Sequence, residues 1–367
     1  MKSTHLQPFH AFTIMFVFLL GTSIIYGTPR LVEDTWIVDL ITLVPSCALF
    51  MLYTYLLIAG KSFNLYSLLH KTWGHFLGRL LILMYVVYFL YIASRNIRDM
   101  IEVIKTTLLT ITPEELLILL FSLLIAYAVS GGLPTIGHIA IPISGMVIFF
   151  FVLLAVLLGF SDSIDTTRIL PLLPNGVLPV LNTTWRSTIW FPYGEIIVFL
   201  VFLDDLVSPR RFQKLGLASM ICSCIVLTFS SLLQICTLGK ENMNFSVFAL
   251  LDAARQINIV DFITRMDALV AFIIFFSVLL KCSIFLYAGT KGVAYIFKKS
   301  YKKFSLPCAI LIGGYSILVT NNYGEHIEEG LKYVIFWLHI PMQLAIPVAT
   351  LLLVWIRNPK NPKGEEL

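Results

Sequence analysis

Two ionisable residues stand in stretches too apolar to solvate them. Glu195 follows Trp190-Phe191-Pro192-Tyr193-Gly194, and Lys281 sits beside Ser283 in the long apolar run 266–297. Insertion scales put a lysine near the centre of a membrane helix at about 2.5–3.5 kcal/mol, so such residues face a cavity or pair with one another. Two plainer readings stay open: Lys281 snorkels to the inner interface, and Glu195 is simply protonated. A third feature is Gly21-Thr22-Ser23-Ile24-Ile25-Tyr26-Gly27-Thr28-Pro29, which sets two glycines, small hydroxyl residues and a proline inside an apolar segment. Proline removes a helix hydrogen bond and glycine costs about 1 kcal/mol relative to alanine, so the helix is expected to unwind there and again at Pro192-Tyr193-Gly194. Unwound backbone inside a bilayer must line a cavity or a ligand. The chemistry this implies is binding. Half-helix ends near Thr22, Ser23 and Gly27 offer N–H groups to an anionic ligand group. Phe191 and Tyr193 would close over the ligand, with Gly194 and Glu195 beside it.

Covalent chemistry has no comparable support, and no enzyme is expected. The seven histidines, His5, His10, His70, His75, His138, His326 and His339, fall mostly in loops or at span ends without an HExxH pattern, and no GxxxxGK[ST] loop occurs. A membrane acyltransferase would need a membrane-facing histidine with a nearby acid, and the sequence pattern supplies none. The six cysteines lack CxxC spacing, so neither metal nor cofactor is expected. Arg95, Arg98, Asp99 and Glu102 form one stripe near the outer end of a helix, where Arg95 can pair with Asp99 and Arg98 with Glu102. A solvated helix terminus competes there with a ligand-guiding vestibule or a partner contact.

The elements that must position these residues follow from composition. Of 367 residues 58% are hydrophobic and only 13% charged, and the mean hydropathy is +0.88, which excludes an ordinary water-soluble protein. The net charge of +5 therefore matters by location and does not point to nucleic acid. Ten spans are expected, at 9–28, 36–59, 77–104, 113–129, 139–160, 187–207, 215–238, 266–297, 306–320 and 333–356. With the N-terminus in the cytoplasm, 15 Lys and Arg fall on that side and 8 on the other, so both termini are expected to be cytoplasmic. The longest loops, 161–186 and 239–265, are then external. The first, with Pro171, Pro174, Gly176 and Pro179, reads as an ordered irregular cap. The second carries an amphipathic helical pattern that lies on the outer interface or packs on the vestibule. The sequons at Asn182 and Asn244 fall on this side but occur commonly by chance.

Interrupted segments at corresponding positions of two halves point to a transporter-type midplane site. Here they are the first and sixth spans, and an odd repeat of five inverts the second half. The fold expected is an all-α polytopic membrane protein of ten transmembrane helices in a five-plus-five inverted repeat with helices 1 and 6 broken. It forms a single transmembrane domain over 1–367, with repeats at about 9–160 and 187–356 and a cytoplasmic tail at 357–367. Gly21-Thr22-Ser23-Ile24-Ile25 with Pro29-Arg30, then Ile169-Leu170-Pro171 with Gly176, Pro179 and Val180, Tyr193-Gly194-Glu195 with Pro209-Arg210-Arg211, and Arg265-x-Asp267 with Tyr287-Ala288-Gly289, together resemble the B subunit of spore nutrient germinant receptors. That family is a branch of the amino acid/polyamine/organocation transporter superfamily. The resemblance implies a ligand-sensing subunit of the spore inner membrane working with A and C subunits on a small nutrient, an amino acid being favoured. The alternative is an autonomous proton- or sodium-coupled amino acid permease. Some relatives in this superfamily bind sodium between helices 1 and 8. The resemblance thus implies that Lys281 supplies the positive charge in place of that ion, with Glu195 as a counter-charge.

Overall fold

The computed structural model describes residues 6–26, 32–160, 163–206, 208–257, 266–320 and 322–357, and every regular element among them is helical. In chain order the α-helices are α1 (Pro8–Leu20), α2 (Ser23–Tyr26), α3 (Thr35–Ala59), α4 (Leu65–Thr107), α5 (Glu114–Gly131), α6 (Leu133–Phe160), α7 (Val177–Thr183) and α8 (Leu203–Leu206). They continue with α9 (Pro209–Leu238), α10 (Lys240–Phe245), α11 (Ala249–Arg255), α12 (Met266–Phe297), α13 (Lys302–Leu318), α14 (Tyr323–Glu329) and α15 (Ile346–Arg357). Among the described residues seven helices are long and apolar enough to cross a membrane: α3, α4, α5, α6, α9, α12 and the composite 323–357. The other three expected spans are shorter or interrupted. α1 has 13 residues, α13 has 17, and 177–206 changes helix type three times.

α12 is the axis of the bundle. Residues 277–290 are buried on every side, as a helix apolar all round must be, and α12 packs along α4, α1, α5, α6 and α13. α3 lies along α9, and α9 along α1. The outward faces of α3, α5, α6 and α13 carry exposed Val44, Tyr127, Phe149 and Leu318, suited to lipid.

Three expected boundaries are corrected. The helical segment expected as a sixth span begins at Val177, ten residues before the expected start, because Gly176 precedes it and Pro179 lies in its first turn, where the backbone N–H is unpaired anyway. The fifth begins at Leu133, with Pro134 likewise in the first turn. The third is preceded by helix from Leu65, capped by the Asn64 side chain on the Tyr66 and Ser67 amides and turned at Gly74, whose φ of +80° suits glycine.

At the end bearing α10 and α11, the segment 163–176 forms the ordered cap. Asp34, 2% exposed, accepts from the Leu173 amide at 2.8 Å and pairs with Lys240 at 3.0 Å, while Lys240 also donates to the Pro171 carbonyl at 2.8 Å. The amphipathic pattern of 239–265 is realised as short α11, which buries Ala249, Leu250, Leu251, Ala253 and Ala254 against α12 and α9 rather than lying free at an interface.

Candidate functional site

The first chain break separates α1 from α2 at Gly21-Thr22. The Ser23 hydroxyl turns back to the Leu19 carbonyl at 3.1 Å, and Thr22 is fully buried. Gly21 is needed for packing: a Cβ there would be driven into Cδ of Lys281, whose stem crosses the chain at this point. Gly27, and Pro29-Arg30 after it, lie outside the described residues, as does Arg265.

The second break is longer. α7 widens into a π-helical turn over Thr184–Thr188, the Phe191–Pro192 peptide is cis, and the chain resumes as a 3₁₀ helix from Tyr193 to Val201. Runs of 3₁₀ helix beyond three or four residues are uncommon, and π turns concentrate at functional sites. All nine residues of this stretch are buried, so their irregular backbone is shielded from lipid. The Thr42 and Thr188 hydroxyls, 2.6 Å apart, tie the π turn to α3.

The two breaks meet at α12. Lys281 Nζ lies 2.6 Å from Glu195 Oε2, with the side chains 0% and 1% exposed, and donates to Thr22 Oγ1 at 3.2 Å. The Phe191 and Phe18 ring centroids are 4.7 and 5.4 Å from the ammonium. Removing two such charges from water costs several kcal/mol each, which close pairing, the hydroxyl and the aromatic faces offset. The snorkelling reading of Lys281 is therefore overturned, because its ammonium ends in the core. Tyr193, 3% exposed, takes a different side: its hydroxyl stands beside Cys224 of α9, facing the α3–α9 pair rather than Lys281.

Against the other side of the second break stands a polar group that the sequence reading missed. The composite helix 323–357 is π-helical over Gly330–His339 and again over Pro341–Ala345, and this brings His339 and Gln343 inward. Gln343 Nε2 is 2.8 Å from both the Tyr88 hydroxyl and His339 Nδ1, and the Tyr88 hydroxyl is also 2.8 Å from His339 Nδ1. Tyr53 and Tyr85 donate to the Gln343 and Met342 carbonyls, each at 2.7 Å. Pro341 has no N–H, and the wider turns expose carbonyls that the two tyrosines satisfy. The available signal was a buried glutamine and histidine four residues apart in an apolar segment.

The Arg95 stripe is not a solvated terminus. Arg95, Arg98 and Asp99 are all under a tenth exposed. Arg95 pairs with Glu329 at 3.0 Å and donates to the His326 carbonyl, while His326 Nε2 is 2.7 Å from Asp99 and Arg98 is 3.5 Å from Glu114. The stripe fastens α4 to α14 and α5. At the opposite end Lys291 pairs with Asp205 at 2.6 Å. Among the described residues no three His, Cys, Asp or Glu side chains gather as metal ligands would.

A buried ion pair thus joins the two chain breaks, and the Tyr88–His339–Gln343 group stands on the other side of the second. The family profile described as "Spore germination protein" (spore permease) matches residues 5–324. Spore germination protein KB of Bacillus subtilis (strain 168) is 27% identical over 370 residues, covering 100% of this chain and 99% of that protein. Spore germination protein YndE of the same organism is 26% identical over 231 residues, 62% of this chain and 61% of its own length. Spore germination protein A2, also from Bacillus subtilis (strain 168), is 29% identical over 205 residues, 53% and 54%.

Proposed function

We propose, from the premise that this chain belongs to the spore germination permease family of non-enzymatic membrane proteins, that it is the ligand-binding transmembrane subunit of a spore germinant receptor. The observation that carries the reading is the meeting of the two chain breaks at the Lys281–Glu195 pair. In this reading a small nutrient, an amino acid being favoured, binds between Gly21, Thr22 and Ser23 on one side and Phe191, Gly194 and Glu195 on the other, while Tyr193 turns its hydroxyl toward Cys224 and Gly27 lies outside the described residues. Interrupted helices in matched positions are the usual source of such midplane sites.

The architecture goes with it: ten spans in a five-plus-five inverted repeat, α1–α2 and 177–206 being the broken first and sixth. Both termini lie in the cytoplasm, in keeping with the excess of Lys and Arg in the loops assigned there. The membrane is the spore inner membrane, and A and C subunits are the partners. Lys281 supplies a positive charge at the first break, so no sodium ion is required. Co-purification of the chain with A- and C-type subunits tests the assignment. Uptake by the purified chain in liposomes, fast enough to account for the nutrient response, would instead make it an autonomous permease. Gly21→Leu, which drives a side chain into the Lys281 stem, should abolish the germination response while leaving assembly with partners intact.

A further inference from the structure

Among the described residues four groups interact with the Lys281 ammonium, and none comes from α12. Phe18 and Thr22 come from α1 and the break that ends it, and Phe191 and Glu195 from the second break. A carboxylate at 2.6 Å, a hydroxyl at 3.2 Å and two aromatic rings with centroids at 4.7 and 5.4 Å form a cage complementary to a primary ammonium. Lys281 reaches it by laying its methylene stem over Gly21, where a side chain would block the way.

We propose that this cage is a recognition site for a primary ammonium and that Lys281 is its tethered occupant, a built-in competitor that an incoming ligand displaces. The proposal rests on the reading that the ligand enters between the two breaks. Charge conservation then fixes the ligand class further. When a ligand ammonium takes over Glu195 and the two rings, the Lys281 ammonium is left in a low-dielectric core, where an unpaired charge is costly. A ligand that also carries an anionic group within a few bonds of its ammonium pairs with the released Lys281, so one buried ion pair becomes two. An amine without the anion strands Lys281, and an N-acylated analogue brings no ammonium to Glu195. Buried Gln343 supports the assignment. Among the described residues its Oε1 has no hydrogen-bond partner, and it lies against Gly194, next to Glu195, as an acceptor left over for a ligand N–H.

The test needs neither nutrient nor partner subunits. Lys281→Ala, in the full-length chain purified in detergent, removes what n-propylammonium can replace, and propan-1-ol is the neutral control of equal length. The expected result is a saturable rise in the unfolding temperature of Lys281→Ala with n-propylammonium, at a half-saturating concentration at least tenfold below that of propan-1-ol. The rise should vanish in Lys281→Ala/Glu195→Gln. Equal responses to amine and alcohol, or an amine response that survives loss of Glu195, overturn the cage. If Lys281→Ala does not survive extraction, its membrane yield is compared in cells grown with either compound. Severalfold recovery with the amine alone supports the cage, and equal yields overturn it. Failure here removes the tethered-occupant mechanism and leaves the receptor assignment standing, because that assignment is decided by co-purification and uptake.

Discussion

Gln343 occupies the volume that a side chain at Gly194 would need: a Cβ there would overlap its Oε1 and crowd its Cδ at 2.8 Å. The second chain break, at Gly194, and the π-helical turn Pro341–Ala345 are thus packed together through the Gln343 side chain.

Gly194→Ala should therefore swing Gln343 away from Tyr88 and His339. Overpacking of this kind costs about 1–3 kcal/mol. Thermal unfolding in detergent should show a lowered midpoint, recovered when Gln343→Ala is added. An unaltered midpoint in the single variant would mean that Gln343 can rotate freely and fastens nothing.

Breaking the central pair should cost more than losing both partners. Lys281→Met keeps the stem over Gly21 but strands Glu195, and loss of one member of a buried pair typically costs about 3–5 kcal/mol. Lys281→Met/Glu195→Gln should regain much of that stability. A double variant no more stable than the single one would show that the pair is not energetically coupled. Because Lys281 provides the charge, exchanging sodium for potassium should leave stability and germination response unchanged in the parent protein.

Arg95 should hold the α14 end of the last helix. In Arg95→Gln the His326 carbonyl and Glu329 lose a charged donor, a loss of about 1.5–3 kcal/mol for hydrogen bonds of this type, discounted because Glu329 is 37% exposed. Hydrogen–deuterium exchange should quicken over 323–339 and leave the middle of α12 protected. Faster exchange spread evenly through the bundle would argue for a general destabilisation instead.

Asp34 should fasten the cap over residues 163–176. Asp34→Ala removes the acceptor of the Leu173 amide and the partner of Lys240, and limited proteolysis should then cleave within 163–176 severalfold faster. An unaltered cleavage rate would assign the order of the cap to its own contacts.

Both chain breaks were legible from the sequence, because glycine and proline act on their own helix and are recognised there. The Lys281–Glu195 meeting was legible as a need, since each charge is too costly to leave alone, though not as a distance. What sequence spacing misjudged depends on neighbours. The stripe at Arg95 reads as the end of α4, yet Glu329 and His326 of α14 meet Arg95 and Asp99 there. His339 and Gln343 face the core only because the last helix is wound wide, and no residue type announces that winding. Pro171, Pro174 and Pro179 made a cap of the whole segment, although Pro179 in the first turn of α7 spends no hydrogen bond.

α1 spans only 13 residues, about 20 Å at 1.5 Å per residue, against a hydrocarbon thickness of about 30 Å. A lipid-facing helix that short would have to thin the bilayer around it or be pulled out of register with its interfaces. Apart from half-buried Phe12, every residue of α1 from His10 to Leu20 is buried, so α1 is walled off from the lipid by α6, α9 and α12. Hydrophobic mismatch is therefore felt by the peripheral helices, and the chain break beside Lys281 is insulated from changes in acyl-chain length.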